Sequence, residues 1–135
     1  MAALDQDRNT PSRDGSVLSI QVAGAVRIFA GSLVARDANG YARPGATATA
    51  MVGIGRAESQ ADNSSGSDGD MSIAVRKGVF RFENDGADTV TRSDIGQDCY
   101  MVDDKSVASN DGTGTRSVAG KVFDVDNDGV WVRFL

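Results

Sequence analysis

Residues 71–83 read MSIAVRKGVFRFE, and this stretch decides the fold class. Every second position from 71 to 75 is apolar, and further on Phe80 and Phe82 alternate with charged residues. An apolar residue at every second position is the pattern of a half-buried β-strand. Because Lys77 and Gly78 lie between the two runs, the stretch predicts a β-hairpin with a tight turn at these residues.

The same alternation recurs along the rest of the chain, for example at Leu18, Ile20 and Val22. Turn signals such as Asn39-Gly40 separate the runs. No window sustains the spacing of an amphipathic helix, and residues 91–96 allow one helical turn at most. The sequence therefore predicts an all-β fold, a compact barrel or sandwich of roughly eight to ten short, mostly antiparallel strands.

The first fifteen residues differ from the rest in having no periodic apolar spacing. Residues 1–15 are therefore predicted to form an extended N-terminal arm, which is either mobile or laid on a neighbouring molecule. Residues 16–135 are predicted to form one β-rich domain, a usual size for a single hydrophobic core.

Composition excludes several classes of protein. The 135 residues include 14 Lys and Arg against 19 Asp and Glu, one Cys and no His. The absence of His removes the usual activating base for a Ser or Cys nucleophile, and the acidic balance disfavours nucleic acid as a partner. Residues 1–15 contain no apolar stretch of the kind found in a secretory signal peptide. Elsewhere in the sequence, no segment is both long enough and apolar enough to span a membrane. We expect no enzyme activity, no cofactor and no membrane partner.

Residues 124–129 read DVDNDG, and they match the opening of an EF-hand loop through Asp124, Asp126 and Asp128. Such a loop requires a Glu at its twelfth position, where this chain has Leu135. The missing ligand favours a hairpin turn, and weak cation binding stays open as the alternative.

Three other features carry only weak indications of chemistry. Cys99 lies in an apolar run, which favours a buried structural thiol over a nucleophile. Asp103 and Asp104 are adjacent carboxylates at a strand end, where solvated turn residues are expected. The aromatic residues, Trp131 among them, alternate as strand residues do, which favours packing in the core or at a subunit interface over a sugar-binding platform.

A series of short segments carries a resemblance to a known group of proteins. The series begins with Arg-Asn-Thr-Pro at residues 8–11 and continues through VRIFAGSLVA (26–35), DANGYA (37–42), VGIGRA (52–57), VRKGVFRF (75–82), DIG (94–96), YMVDD (100–104) and VAGKV (118–122). The chain resembles the small capsid decoration, or cement, proteins of tailed bacteriophages. The resemblance extends over nearly the whole chain from about Arg8, and its motifs are structural rather than catalytic.

The resemblance implies a non-enzymatic virion protein that binds the outside of a phage capsid and stabilises contacts between capsomers. It implies the major capsid protein and further copies of the same chain, in a homotrimer, as partners. It also implies synthesis in the bacterial cytoplasm before assembly onto the outer capsid surface. The candidate capsid or subunit contacts are Asp5, Arg8, Asn9, Thr10, Pro11, Arg13 and Trp131.

Two other functions remain as alternatives. One is a head-fibre or tail-associated virion module that binds carbohydrate or a host surface through aromatic residues such as Tyr41 and Trp131. The other is a small hydrolase using Asp103 or Asp104, for which no activated nucleophile is present in the sequence.

Overall fold

The computed structural model describes residues 2–135 and is all-β, as the alternating apolar pattern predicts. These residues form twelve short strands, somewhat more than expected, and one 3₁₀ turn. The strands are β1 (Val17–Gln21), β2 (Val26–Ile28), β3 (Leu33–Arg36), β4 (Ala42–Pro44), β5 (Val52–Ala57), β6 (Ala61–Asn63), β7 (Ser72–Arg76), β8 (Gly78–Asn84), β9 (Asp98–Met101), β10 (Ser106–Ala108), β11 (Val118–Asp126) and β12 (Gly129–Phe134), and the 3₁₀ turn η1 (Arg92–Asp94) precedes β9.

The first half of the chain builds a five-stranded sheet in the order β1-β7-β5-β3-β4, and the pairings between these strands are all antiparallel. Leu18 pairs with Val75 and Ile20 with Ile73, so the apolar positions of β1 and β7 share one face. Strands β2 and β6 form a separate two-stranded ribbon.

The second half of the chain closes into a five-stranded barrel in the order β10-β8-β12-β11-β9. Its pairings are antiparallel except for β10 with β8. Closure removes the exposed strand edges that would otherwise pair with other chains. The fold therefore combines a barrel with a five-stranded sheet whose outermost strands are β1 and β4, and an isolated parallel bridge joins Val22, just after β1, to Ala42 of β4.

The hairpin predicted for residues 71–83 is wrong. Strand β7 pairs with β1 and β5, whereas β8 pairs with β12 and β10. Lys77 and Gly78 instead carry the chain from the sheet to the barrel, with Gly78 at a φ of +140°. The two halves separate because Ile73 and Val75 pack under the sheet, while Phe82 packs inside the barrel.

Two apolar clusters form the core, and β3 contributes to both. Leu33 and Ala35 belong to the barrel cluster, whereas Val34 faces the second cluster between the sheet and the ribbon. All three residues are fully buried, so β3 is covered on both faces. A backbone hydrogen bond of 2.8 Å from the Leu33 N–H to the Asp104 carbonyl also joins the sheet to the loop between β9 and β10.

Several predicted turns are confirmed. Asn39-Gly40 connects β3 to β4, and residues 126–129 connect β11 to β12. The helical turn at residues 91–96 is present as η1, with Thr91 at its start. Within residues 2–135, no helix is long and apolar enough to cross a membrane.

Candidate interaction surface

The aspartates of residues 124–129 make a hairpin turn. The Asp126 carboxylate accepts hydrogen bonds from the backbone N–H groups of Asp128 (2.8 Å) and Gly129 (3.1 Å), and from Trp131 Nε1 (2.8 Å). These bonds, that of Trp131 foremost, lower the pKa of Asp126. The described part of the chain contains no group of three His, Cys, Asp or Glu residues placed to hold a metal ion. The carboxylate of Asp126 serves the turn geometry.

Trp131 lies on the outer wall of the barrel, half-buried beside this turn. Its ring nitrogen is bound to Asp126, and the Arg81 guanidinium lies 5.7 Å from its ring centroid. Phe82 and Phe134, by contrast, pack edge to face inside the barrel with centroids 6.1 Å apart. Core packing is therefore the structural role of the two phenylalanines, whereas Trp131 is held in place at the surface.

Cys99 is a buried structural thiol, as the apolar run predicts. The residue is fully buried, and burial raises the pKa of its thiol to about 12. A thiol with so high a pKa holds almost no nucleophilic thiolate at neutral pH. Asp103 and Asp104 lie in the turn between β9 and β10, where Asp103 accepts a 2.9 Å hydrogen bond from the Lys105 N–H.

The arm candidates are all accessible. Residues 2–15 form no strand, and every one of them is exposed. Within the described chain, none of Asp5, Arg8 and Arg13 takes part in an ion pair, and no hydrogen bond joins the arm to Trp131. The arm and Trp131 are thus separate surface features.

An apolar groove on the outside of the barrel was missed in the sequence. Ile95, Phe123 and Leu135 line it with exposed fractions of 45%, 56% and 82%, and the groove has a volume of about 460 Å³. We call this surface the β11 groove. Large apolar side chains clustered on a surface are typical of interaction sites.

Phe123 lies in the β11 groove at a β-bulge. Val122 pairs with Val132 and Asp124 with Trp131, so Phe123 is the extra residue between two register positions. Val122 is buried and Phe123 is exposed, so Phe123 faces outward on β11 beside the outward-facing Asp124. The sequence does hold a signal, because the adjacent apolar residues Val122 and Phe123 break the alternation of β11.

Backbone hydrogen bonds bring Ile95 to the same place. The Gly96 N–H donates to the Val122 carbonyl at 2.8 Å, and the Val122 N–H donates to the Gln97 carbonyl at 2.9 Å. These bonds hold the end of η1 against β11. Residues distant in sequence therefore meet in one groove, which is why periodicity alone does not reveal it.

The rim of the β11 groove is cationic. Lys121 and Arg133 both line it. Lys121 Nζ pairs with Asp98 at 2.7 Å, whereas Arg133 has no ion-pair partner within residues 2–135. The groove therefore offers an apolar floor beside at least one uncompensated guanidinium.

The comparisons with known proteins add no relative. No protein-family model matches the chain, and neither the curated proteins nor the solved structures contain a significant match.

Proposed function

We propose that this protein is a non-enzymatic structural component of a phage virion that binds the outside of the capsid and stabilises contacts between capsomers. Its partners are the major capsid protein and other copies of itself, in a homotrimer. It is made in the host cytoplasm and ends on the outer capsid surface. The proposal comes from the resemblance of the sequence to capsid decoration proteins.

The observation that carries the proposal is that the protein presents both an exposed arm and an exposed apolar groove on the outside of a closed barrel. The arm offers Arg8, Asn9, Thr10, Pro11 and Arg13 to a partner without breaking any ion pair. An extended segment that becomes ordered on binding can add main-chain hydrogen bonds to the edge of a neighbouring sheet. These features suit binding and do not require chemistry.

Many copies on one shell would stabilise it without strong individual contacts. A protein that binds only the assembled capsid stabilises that state by mass action, and contacts to several capsomers at once add avidity. Modest apolar area and a few charged contacts in each copy are therefore sufficient for the proposed function.

The test uses undecorated capsids of the phage that encodes the chain. The full-length protein should co-sediment with these capsids and raise the temperature at which they release DNA. The double variant Arg8→Glu/Arg13→Glu should bind more weakly, whereas Arg36→Glu, a substitution of an exposed arginine in the sheet, should bind as the wild type does. Failure of the wild-type protein to bind, with no change in capsid stability, would exclude the proposal.

The carbohydrate-binding alternative makes a different prediction for the same protein. Binding to a glycan array that is lost in Trp131→Ala would favour a head-fibre or tail module. Because Arg81 already lies over the Trp131 ring, a sugar would have to stack on the remaining face or displace the guanidinium.

A further inference from the structure

We infer that residues 2–7 of the arm bind in the β11 groove of a second copy of this chain, with Leu4 between Ile95, Phe123 and Leu135. The inference concerns self-association. It rests on the homotrimer of the proposed function and is independent of capsid binding.

The apolar groups on the two surfaces match. Leu4 is the one large apolar residue between positions 2 and 15, and 72% of it is exposed. The β11 groove is of a size to take a side chain, and Phe123, at the bulge of β11, forms part of its lining. One apolar anchor entering a preformed apolar pocket is a common arrangement at protein interfaces.

The charges on the two surfaces also match. Asp5 and Asp7 flank the Leu4 anchor on one side, and both are exposed. Arg133 and Lys121 lie on the rim of the groove. Lys121 is already paired with Asp98, so Arg133 is the cation that the carboxylates beside the anchor would meet, and this pairing favours this register of binding.

Charge also decides between two kinds of self-association. If two copies met groove to groove, Arg133 of each would approach the cationic rim of the other, and like charges opposed at an interface are unfavourable. An acidic arm segment brings the opposite charge. The arm is therefore the part of a second copy that fits the groove.

The arm is long enough to bridge two molecules. Residues 4 to 16, if extended, span about 40 Å. The arm begins close to the barrel, because the Ser16 carbonyl accepts a 2.8 Å hydrogen bond from the Lys77 N–H. Within a single copy Leu4 is exposed and the groove is open. We therefore assign the groove to the arm of a neighbouring molecule.

Such a contact joins two different surfaces of the same protein. A contact of this kind, repeated from copy to copy, closes into a ring when the rotation permits. A trimeric ring in which each arm lies in the next groove would leave Arg8 and Arg13 free for another partner.

Disulfide trapping tests the placement of the arm. Leu4→Cys in an affinity-tagged chain and Phe123→Cys in an untagged chain are co-expressed, purified together and mildly oxidised. We expect a covalent heterodimer on a non-reducing gel. The matched control replaces Phe123→Cys by Phe29→Cys, because Phe29 is exposed to a similar extent but lies outside the groove. Native Cys99 does not interfere, since its thiol is buried.

A heterodimer yield severalfold above that of the Phe29→Cys control supports the inference. A yield equal to the control overturns it. A chain carrying both Leu4→Cys and Phe123→Cys distinguishes binding between copies from binding within one copy. A disulfide that forms only within one chain would show that the groove binds the chain's own arm, and this result would overturn the inference.

A charge-exchange experiment gives a second readout. Sedimentation equilibrium should show self-association weakened about tenfold by Leu4→Ser, as expected for loss of one buried leucine. Self-association should also be weakened by Asp5→Lys/Asp7→Lys and, separately, by Arg133→Glu. A chain that carries all three charge reversals should recover much of the lost affinity. Unchanged association in all three variants would overturn the inference, even if the protein binds capsids.

Discussion

Single aspartates hold the loops of this protein by accepting hydrogen bonds from backbone N–H groups. Asp37 accepts from the N–H groups of Asn39 (2.9 Å) and Tyr41 (3.0 Å), and it pairs with Arg43 at 2.7 Å. Burial raises the pKa of Asp37, but the bonds from Arg43 and the backbone outweigh it, so the pKa is lowered overall. Many of the acidic residues of the sequence therefore fix the conformation of loops.

The Asp88 carboxylate joins two loops and yields the first prediction. It accepts 2.8 Å and 3.0 Å hydrogen bonds from Arg116 Nη1 and the Asn110 N–H, and its side chain is 22% exposed. Asp88→Asn should lower the free energy of unfolding by about 1–2 kcal/mol at neutral pH, since charge-assisted bonds are lost. Denaturant titration measures this change. Glu83→Gln, which removes a well-exposed 3.3 Å pair with Lys105, should cost less than about 1 kcal/mol.

The loss in Asp88→Asn should depend on pH. Burial raises the pKa of Asp88, but the bonds from Asn110 and Arg116 lower it overall. A carboxyl whose pKa is lower in the folded state stabilises the protein above its unfolded pKa, and this stabilisation is lost as the pH falls through the folded pKa. The difference in the free energy of unfolding between the wild type and Asp88→Asn should therefore become smaller below about pH 4. A gap that stays constant on acidification would contradict this assignment.

The contact between Asp126 and Trp131 gives a spectroscopic prediction. Trp131 is the single tryptophan, so tryptophan fluorescence reports on the surroundings of this one residue, the Asp126 contact among them. The hydrogen bond from Trp131 lowers the pKa of Asp126, and the emission should therefore change with a midpoint below the usual value of about 3.9. Asp126→Asn should abolish the transition, and Asp124→Asn should retain it. The titration is restricted to the pH range in which the circular dichroism stays native, and a midpoint at or above the usual value would refute the prediction.

At the scale of elements, β5 and β11 show how the sheet meets the barrel. Strand β11 contacts β5, and Gly53 of β5 lies directly against the backbone of Ala119. Both residues lie at irregular places in their ladders, since the register of β5 with β3 shifts near Gly53 and that of β11 with β9 shifts near Ala119. The lack of a side chain at Gly53 lets the two strands approach.

Gly53→Ala tests this close approach. An added Cβ would overlap the Ala119 carbonyl group, which is backbone and cannot rotate away. We expect the free energy of unfolding to fall by about 1–3 kcal/mol or more, as in other overpacked sites. Gly86→Ala is the matched control, because a Cβ there meets no atom within 4 Å. Thermal unfolding measures the stability of both variants. Equal stability of Gly53→Ala and Gly86→Ala would contradict the prediction, because it would show that β5 and β11 move apart at little cost.

At the scale of the whole molecule, a body with two apolar clusters carries an exposed arm. Strand β3 joins the clusters, so the sheet and the barrel share buried side chains. Residues 2–15 contribute none of the buried core. We therefore expect the stability of residues 16–135 to be independent of the arm.

Limited trypsin digestion measures this independence. Arg8 and Arg13 are exposed in a segment without regular structure, so cleavage should occur there first. The remaining product should unfold within a few degrees of the intact chain. Arg116, held by Asp88 at 2.8 Å, is the internal comparison and should be cleaved much later. Early cleavage inside the barrel, or a large fall in the unfolding temperature after loss of the arm, would contradict this description.

The predictability of the fold differs between its parts. The strands and the turns at Asn39-Gly40 and at residues 126–129 follow from alternation and turn chemistry, which depend on neighbours in the chain. The β11 groove does not, because Ile95 and Phe123 are brought together by backbone bonds between η1 and β11. The paired apolar residues Val122 and Phe123 were the only local sign of it.

The sequence by itself determined that the protein is all-β, that Cys99 is buried and that residues 1–15 lie outside the strand pattern, because each of these depends on the character of a short segment. Only the tertiary structure decided which strands pair. Lys77-Gly78 has the composition of a hairpin turn, yet β7 and β8 enter different layers. The physical reason is that a strand pairs where its apolar face is buried, and the burial of Val75 and of Phe82 in separate clusters depends on partners far away in the chain.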